Sequence, residues 1–593
     1  MTATSRSLRL AGAAGLALLV LLHTPQTIIQ AGGGARLDSQ YGMSLAIGAA
    51  VLVAVGLGYR LLSHLVPRTA DHQLVARYIS EPFSAVAAAA KLISYVIIVA
   101  IAAGFAVSSL TPLVGPSSEI LPLIQAGAVL LLAVPTMLGR HPGARLIIAA
   151  LVPAALAVGI IIIGGLVIEL AGGLTTPPET TVAERTPGIP WPLGEAVLGA
   201  LFPAAVLGLA TERSFGEPGG RRIATRRLLT AIIPVIAGIA GILYLSHVTA
   251  LPPATRSPSV LALAEVFFPQ LAVVIIGLTF SLAGIAVALA AFTQVSQLMR
   301  QLAADGILPR HIAAADAYGS RRVVVAVIAI AAAGAVYLAS SPLGGSTMVV
   351  TIMAVSMVLT MAALVARARR IRQQSTALAE RRDAARSRTA GLILGAVGAA
   401  ILALSVAVQP HFTLVGAGAL AIPSIALLVL RRGMGRIGAT LAAHDLSVGR
   451  SLPTRVHAIV LVERLDRPTL QAITFVRATR PSTMAGLVVD VDPVATDKLT
   501  SDWMAADLPV ELTILGTPRG AARRPVIEHV RSLRRSSPRD IVVIYAPRVV
   551  SSSAIWQRFF VSHSTPALLS ELKLEPGVIV AEVPYQIEDI EEL

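Results

Sequence analysis

Apolar runs long enough to cross a lipid bilayer recur along the chain up to residue 430. A transmembrane helix needs about 20 mostly apolar residues. Soluble domains do not carry this much apolar sequence, since 55% of the 593 residues are hydrophobic and only 14% are charged. We therefore predict an α-helical polytopic membrane protein embedded in the lipid bilayer. Its twelve predicted transmembrane helices lie near residues 10–31, 43–65, 83–107, 121–138, 144–170, 193–212, 228–247, 267–297, 322–340, 346–366, 389–409 and 411–430.

Arginines mark one side of this predicted bundle. They concentrate in alternate loops, whereas the opposite loops hold only Arg36, Arg185 and Arg256. Basic residues accumulate on the cytoplasmic side of membrane proteins, so both termini are predicted to be cytoplasmic in a multi-pass protein of the plasma (inner) membrane. This placement accounts for the net charge of +15 without a nucleic-acid partner. The absence of cysteine excludes disulfides and thiolate metal sites, and no metal or other cofactor is predicted.

The first apolar run, residues 16–34, carries polar residues just past its middle. A proline at that depth removes one backbone donor, so the helix is expected to bend or open and to form a site for a small polar solute. The alternative is a tolerated kink in which the histidine is a hydrogen-bonded core residue. The candidate substrate-binding residues here are His23, Thr24, Gln26 and Thr27, which flank Pro25. His23 is also a candidate proton carrier.

After residue 430 the sequence changes character. Short β-rich runs alternate with amphipathic stretches from Arg455 onward, which predicts a parallel, doubly wound α/β domain. It contains neither a GxGxxG nor a Walker motif. We predict a transmembrane domain over 1–430, a basic linker over 431–454 and a cytoplasmic α/β domain over 455–593. No nucleophile–base pair, metal cluster or phosphate loop indicates an enzyme.

The sixth predicted span is interrupted in the same way as the first. Gly199, Pro203 and Gly208 fall inside it, five spans after the first interruption, as an inverted repeat requires. The pattern resembles the amino acid–polyamine–cation (APC) superfamily, which implies a LeuT-like core of five plus five helices followed by two more. After span eight, Arg300 and the run Asp305-Gly306-Ile307-Leu308-Pro309 are similar to the cytoplasmic R…DG-LP signature of APC permeases.

Two further segments resemble the Kup/KimA branch of bacterial potassium importers. They are ARYISEPFSAVAAAAKLISYVIIVAIAAG, residues 76–104, and the tail segment 556–588. The resemblance implies a carboxy-terminal universal-stress-protein-like (USP-like) domain with a regulatory role. It also implies homodimerisation through that domain and binding of a cyclic dinucleotide. The candidate for that binding, with a solvated or lipid-facing helix surface as the alternative, is a row of tail arginines: Arg523, Arg524, Arg531, Arg534 and Arg535.

The same resemblance predicts which residues surround the transported cation. In that branch, oxygen-bearing side chains on spans one, three, six and ten surround the ion, and Tyr95 is the one retained by motif matching. The other positions become Ile98, Leu207 and Met353, with span one aligned near Val20 and Thr27. The substrate-binding set therefore adds Tyr95, Leu207, Gly208 and Met353. Because K⁺ needs several oxygen ligands, the substrate stays open between an amino acid and K⁺.

Three residues are candidates for a coupling-ion site. Lys91 lies inside span three, where an ionisable residue is a functional candidate by default, although its stem could also extend to the interface. Thr279 and Ser281 on span eight are hydroxyls of the kind that complete a cation site in this fold, or that bond their own helix backbone.

These observations predict a secondary active transporter, an APC-type permease that moves an amino acid or K⁺ by alternating access, with symport of H⁺. The alternative is a transport-inactive sensor that keeps the fold and signals through its cytoplasmic domain.

Overall fold

The protein divides into two compact units, residues 1–441 and 442–593, in a computed structural model. The structure describes residues 3–32, 38–65, 69–115, 119–138, 143–172, 192–212, 220–251, 257–308, 322–339, 341–441, 454–490, 492–516, 523–534, 539–550 and 565–586.

The first unit is helical throughout its described parts. Its helices are α1 (Ala3–Gly32), α2 (Asp38–Leu65), α3 (Asp71–Tyr78), α4 (Glu81–Ser108), α5 (Thr111–Val114), α6 (Leu121–Met137), α7 (Ala144–Leu170), α8 (Pro192–Glu212), α9 (Gly220–Val248), α10 (Ser259–Phe267), α11 (Gln270–Ala304), α12 (Arg322–Ala339), α13 (Pro342–Gln374), α14 (Leu378–Val408) and α15 (Pro410–Leu441).

Among the described residues, ten of these helices are long and apolar enough to cross a membrane. Two shorter apolar helices, Leu121–Met137 and Arg322–Leu338, coincide with the other two predicted spans. Large apolar side chains such as Leu131, Ile163 and Leu414 are 71%, 65% and 72% exposed, which suits a surface that faces lipid rather than water. The protein is therefore a multi-pass membrane protein, whereas the number twelve and the inverted repeat stay predictions.

The expected opening of the first and sixth spans is not what the structure shows. α1 is helical from Ala3 to Gly32 with Pro25 inside it, and α8 is helical from Pro192 to Glu212 with Pro203 inside it. Proline removes only one backbone hydrogen bond, and packing against neighbouring helices keeps such a helix continuous in a membrane protein. The polar residues of α1 are thus presented by an unbroken helix.

Glycines let the helices around α8 approach closely. A Cβ atom on Gly199 would lie 2.8 Å from Thr27 Oγ1 of α1, and a Cβ atom on Gly48 of α2 would lie 2.3 Å from the backbone oxygen of Ala200. Small residues at such crossings allow backbone-to-backbone contact, which drives helix association in membranes. The crossing of α1 and α8 therefore depends on Gly199.

The second unit contains the predicted parallel sheet. Its five strands lie in the order β3-β2-β1-β4-β5, and every neighbouring pair is parallel. The strands are β1 (Val456–Leu461), β2 (Thr483–Asp490), β3 (Glu511–Gly516), β4 (Ile541–Val550) and β5 (Val578–Gln586), and the described helices are α16 (Arg467–Ala478), α17 (Pro493–Ala505), α18 (Arg523–Arg534) and α19 (Thr565–Leu572).

Helices cover both faces of this sheet. One buried cluster joins β1 to α16 and α17, with Trp503 donating its indole N–H to the Val510 carbonyl at 2.9 Å. A second cluster joins the other face of β1 to α18 and α19. The strand order reverses between β1 and β4, so the domain is doubly wound as predicted. In the predicted linker 431–454, residues up to Leu441 continue α15, and 442–453 lie outside the described residues.

Candidate functional site

The middle of α1 meets α8 and α13 around His23. The His23 side chain is buried, and its Nε2 lies 3.1 Å from Ser346 Oγ on α13. Ser346 donates a hydrogen bond to the Pro342 carbonyl at 3.0 Å, so its oxygen is left to accept a hydrogen bond from His23 Nε2. The ring of Phe202 on α8 lies 5.0 Å from the imidazole. One imidazole thus connects three helices of the bundle.

The threonines beside His23 serve different purposes. Thr27 donates to the Thr24 carbonyl at 2.7 Å and packs against Gly199. Thr24 is fully buried, and its hydroxyl has no hydrogen-bond partner within the described residues. Gln26 is only partly buried. An unsatisfied buried hydroxyl costs free energy, which makes Thr24 the side chain of this group best suited to hold a ligand.

A second unsatisfied hydroxyl lies on α13. Thr351 is 2% exposed, and in the part of the chain that the structure describes its Oγ1 has no partner. It follows Ser346 by about one and a half helical turns. Met353, two residues further along, is partly buried. Neither Ser346 nor Thr351 was a predicted candidate, although hydroxyl side chains recur in residues 340–351 near the start of an apolar span.

The remaining predicted substrate residues lie in the core. Tyr95 and Ile98 are buried on α4, and Leu207 is buried on α8. Gly208 faces Tyr59 of α2, because a Cβ atom there would lie 3.4 Å from Tyr59 Cε2. Their part in binding a substrate stays a prediction.

The candidate coupling residues on α11 bond their own helix or are buried beside it. Thr279 donates to the Ile276 carbonyl at 2.7 Å, which is the backbone bonding that sequence analysis left as the alternative. Ser281 is buried two residues later. Their role with an ion stays a prediction.

The Lys91 side chain does not extend to the membrane interface, which was the alternative for this residue. Its side chain is 7% exposed, and its ammonium lies 3.9 Å from Asp71 Oδ2 on α3. The lysine therefore turns inward to a buried carboxylate instead of reaching solvent.

Asp71 belongs to a buried polar group that we call the α3 cluster, consisting of Asp71, His72, Gln73, Lys91 and Asp305. Asp305 Oδ2 lies 2.7 Å from His72 Nε2, and Gln73 Nε2 donates to Asp305 Oδ1 at 2.7 Å. Asp71 and His72 are each 1% exposed. Asp305 ends α11, and Gly306 follows with φ +72°, a conformation that favours glycine. The Asp-Gly turn of the R…DG-LP run thus aims a carboxylate at α3.

Burial and neighbouring charges both shift the pKa values of the α3 cluster. Burial would raise the pKa of the Asp305 carboxyl, but the hydrogen bonds and charges of His72, Gln73 and Lys91 lower it overall. Burial lowers the pKa of His72, and the positive charge of Lys91 acts in the same direction. Lys91 was a predicted candidate and Asp305 belongs to the R…DG-LP run, whereas Asp71 and His72 were not predicted, because an Asp-His pair in a short segment between two apolar spans carries no signal of burial.

In the second unit, some of the arginines proposed for a cyclic dinucleotide have protein partners. Arg531 forms an ion pair with Glu575, and Arg524 lies 3.4 Å from Glu528. Arg535 lies outside the described residues, as do 551–564, which follow the carboxyl end of β4. The ligand of this domain stays a prediction.

The carboxy-terminal unit is the part of the chain that a comparison with known families identifies. Residues 455–585 match the family of the KimA potassium transporter C-terminal domain. This match indicates a potassium transporter. The family is one of transporters and not of enzymes. A search of curated proteins found no match to the chain.

Proposed function

We propose that the protein is a secondary potassium importer of the plasma membrane, with cytoplasmic termini, that moves K⁺ inward by alternating access. The observation that carries the proposal is the match of residues 455–585 to the carboxy-terminal domain of KimA potassium transporters. The resemblance of residues 76–104 and of the R…DG-LP run to transporters of the same kind supports it from the membrane unit.

In this proposal K⁺ binds where α1, α8 and α13 meet. A dehydrated K⁺ needs several oxygen ligands, and the unsatisfied hydroxyls of Thr24 and Thr351 are two candidates near His23 and Ser346. Tyr95 would add a third oxygen from α4. These ligands would replace the side-chain oxygens that the resembled branch carries where this chain has Ile98, Leu207 and Met353.

Alternating access would follow from rocking of α1, α2, α8 and α9 against the remaining helices around the site. Without an ATP-binding motif in the sequence, a proton gradient is the proposed energy source. The carboxy-terminal domain would regulate transport from the cytoplasm, with homodimerisation and cyclic-dinucleotide binding as further proposals taken from the resemblance.

Uptake into proteoliposomes with an alkaline interior tests this proposal. The purified full chain is given ⁸⁶Rb⁺ as a K⁺ tracer and, in parallel, a radiolabelled amino acid mixture, with protein-free liposomes as the control. We expect saturable Rb⁺ entry that unlabelled K⁺ competes away and that collapses when a protonophore removes the pH gradient. Entry of amino acids without Rb⁺ would contradict the choice of substrate.

The position of the site is tested separately. Thr27→Leu places a larger side chain at the crossing with Gly199, so we expect Rb⁺ entry to fall about fivefold or more, as overpacking by 1–3 kcal/mol implies. The matched control is Gly127→Leu on α6, where a Cβ atom meets nothing within 4 Å. Unchanged uptake in Thr27→Leu would move the site elsewhere.

A second candidate function is a transport-inactive sensor, favoured by the apolar residues Ile98, Leu207 and Met353 at the resembled ligand positions. The same proteoliposomes distinguish it. A full chain that binds cyclic di-AMP but moves neither Rb⁺ nor amino acids would be a sensor.

A further inference from the structure

The α3 cluster gathers ionisable groups from three elements into a buried space. Asp71 and His72 come from α3, Lys91 from α4, and Asp305 from the end of α11. Buried ionisable groups are costly unless they are paired, and they concentrate where a protein uses them. None of its members is assigned as a ligand of K⁺ in the proposal above.

The cluster holds α3 against two helices that the proposed transport cycle treats as stationary. His72 and Gln73 bond Asp305 at the end of α11, and Asp71 pairs with Lys91 of α4. Ser84 of α4 also donates to the His72 carbonyl at 2.8 Å. α3 follows α2 in the chain with only residues 66–70 between them. A docked α3 therefore restrains the adjoining end of α2.

His72 is built to dock in its neutral form. Its Nε2 faces a carboxylate at 2.7 Å and so carries a proton. Its Nδ1 is buried and has no hydrogen-bond partner among the residues that the structure describes. A second proton would have to reside on Nδ1, where no described acceptor receives it and where Lys91 supplies a neighbouring positive charge.

The other charged groups around α3 are partly paired with one another. From α4, Glu81 binds Arg431 of α15 at 3.1 Å, and the same arginine approaches Ser84 Oγ at 3.4 Å. Arg370 of α13 and Arg77 of α3 lie 5.4 and 5.9 Å from the Tyr78 ring. The described groups that face His72 itself are Asp71, Lys91 and Asp305.

We propose that the α3 cluster is a proton-binding site that controls access at the cytoplasmic end of the bundle. With His72 neutral, α3 is docked on Asp305 and Lys91 and holds the end of α2. Binding of a cytoplasmic proton at His72 Nδ1 releases α3 and frees α2 to move. The cytoplasmic location of the cluster and the movement of α2 rest on the proposed function, whereas the docking of α3 and its pH dependence do not.

The direction of the pH effect follows from linkage. The docked state lowers the pKa of His72 below its ordinary value of 6.5. Docking is therefore fully retained above about pH 6.5 and weakens as the pH falls below it, because the undocked histidine binds the proton more tightly. For one such group, the docking equilibrium weakens by at most about tenfold between pH 7.5 and 5.5.

The absence of cysteine in the chain allows a direct test. Val75→Cys places a single thiol on the buried face of α3, since Val75 is 0% exposed. Leu378→Cys, at a position that is 73% exposed, is the reference that corrects for the pH dependence of thiol chemistry. Maleimide labelling is measured on the full chain at pH 7.5 and 5.5, and complete labelling in SDS counts the available thiols.

We expect the normalised labelling of Val75→Cys to rise several-fold, up to about tenfold, on acidification. His72→Gln keeps an N–H donor for Asp305 without a titrating group, so in that background labelling is expected to stay slow at both pH values. His411, on α15, provides the matched control: His411→Gln is expected to leave the acid response unchanged.

Labelling that does not change with pH, or that changes equally in His72→Gln, would overturn the proton site. Size-exclusion profiles at both pH values show whether each variant is folded. The readout is independent of transport, so a protein that moves no Rb⁺ can still confirm the acid-dependent docking. Conversely, Rb⁺ uptake with pH-insensitive labelling would leave the proposed function standing and remove this inference alone.

Discussion

His23 and His72 are both buried histidines with one hydrogen bond each from Nε2, yet their surroundings differ in kind. His23 bonds a neutral hydroxyl, Ser346, and lies against an aromatic ring. His72 bonds a carboxylate and has a lysine nearby. A neutral surrounding positions a side chain for an uncharged contact, whereas a charged one makes the contact depend on protonation. The two regions therefore suit different tasks, solute binding at His23 and control of helix docking at His72.

The largest effect is expected in the α3 cluster, where the contacts are charged. Lys91→Met would remove the ammonium that lies 3.9 Å from the buried Asp71 carboxylate, which costs about 3 kcal/mol. We expect a clear fall in the midpoint of thermal unfolding in detergent, measured by the loss of helical circular dichroism. Lys498→Met, at an exposed lysine of the second unit, is the control and should unfold like the unchanged protein. Equal midpoints for both variants would show that the charges of the α3 cluster are not coupled.

The next largest effect is expected from a steric change beside His23, where α1 crosses α8. Gly199→Ala adds a methyl group 2.8 Å from Thr27 Oγ1, so α1 and α8 must separate at a cost of about 1–3 kcal/mol. We expect lower thermal stability together with slower Rb⁺ uptake. Gly127→Ala adds the same methyl group where nothing lies within 4 Å and should change neither. A stable and active Gly199→Ala would mean that the crossing of α1 and α8 is looser than the structure has it.

Removing the partner of His23 has a smaller expected effect. Ser346→Ala removes the hydroxyl that bonds the buried imidazole of His23, at a cost of about 1–2 kcal/mol. If His23 is part of the site, we expect a rise of about tenfold in the KM for Rb⁺ uptake. Thr347→Val is the control, because that buried hydroxyl donates to the Leu343 carbonyl of its own helix. The same KM in both variants would separate His23 from the K⁺ site.

The smallest effect is expected at Thr279, whose hydroxyl already bonds its own helix. Thr279→Ala should change Rb⁺ uptake by less than about twofold, since loss of such a backbone bond costs a few tenths of a kcal/mol. Uptake rates at several proton gradients measure this. A large loss that depends on the gradient would instead support the coupling-ion site predicted on α11.

Features that depend on neighbouring residues in the chain were well predicted. The alternation of strands and helices predicted from Arg455 onward is present as a five-stranded parallel sheet with helices on both faces. Burial on both faces of a parallel strand imposes a continuous apolar run, which any reader of the sequence can detect. The glycine of the R…DG-LP run, Gly306, likewise lies where the backbone has a positive φ, which favours glycine.

The expected opening of α1 and α8 was wrong for the opposite reason, whereas a bend at Pro25 stays a prediction. Pro25 and Pro203 carry a local tendency to break a helix, but the packing that keeps each helix intact comes from other parts of the chain. The prolines therefore indicate where a helix is locally destabilised, but they do not determine whether it breaks there.

The sequence by itself determined that the chain is a membrane protein with a carboxy-terminal α/β domain, because hydropathy, arginine placement and strand periodicity are properties of consecutive residues. Only the tertiary structure decided which polar groups meet. His23 and Ser346 are 323 residues apart in the chain, and His72 and Asp305 are 233 apart. Their pairing depends on helix crossings, and a crossing is the joint result of side chains from several helices that no single stretch of sequence contains.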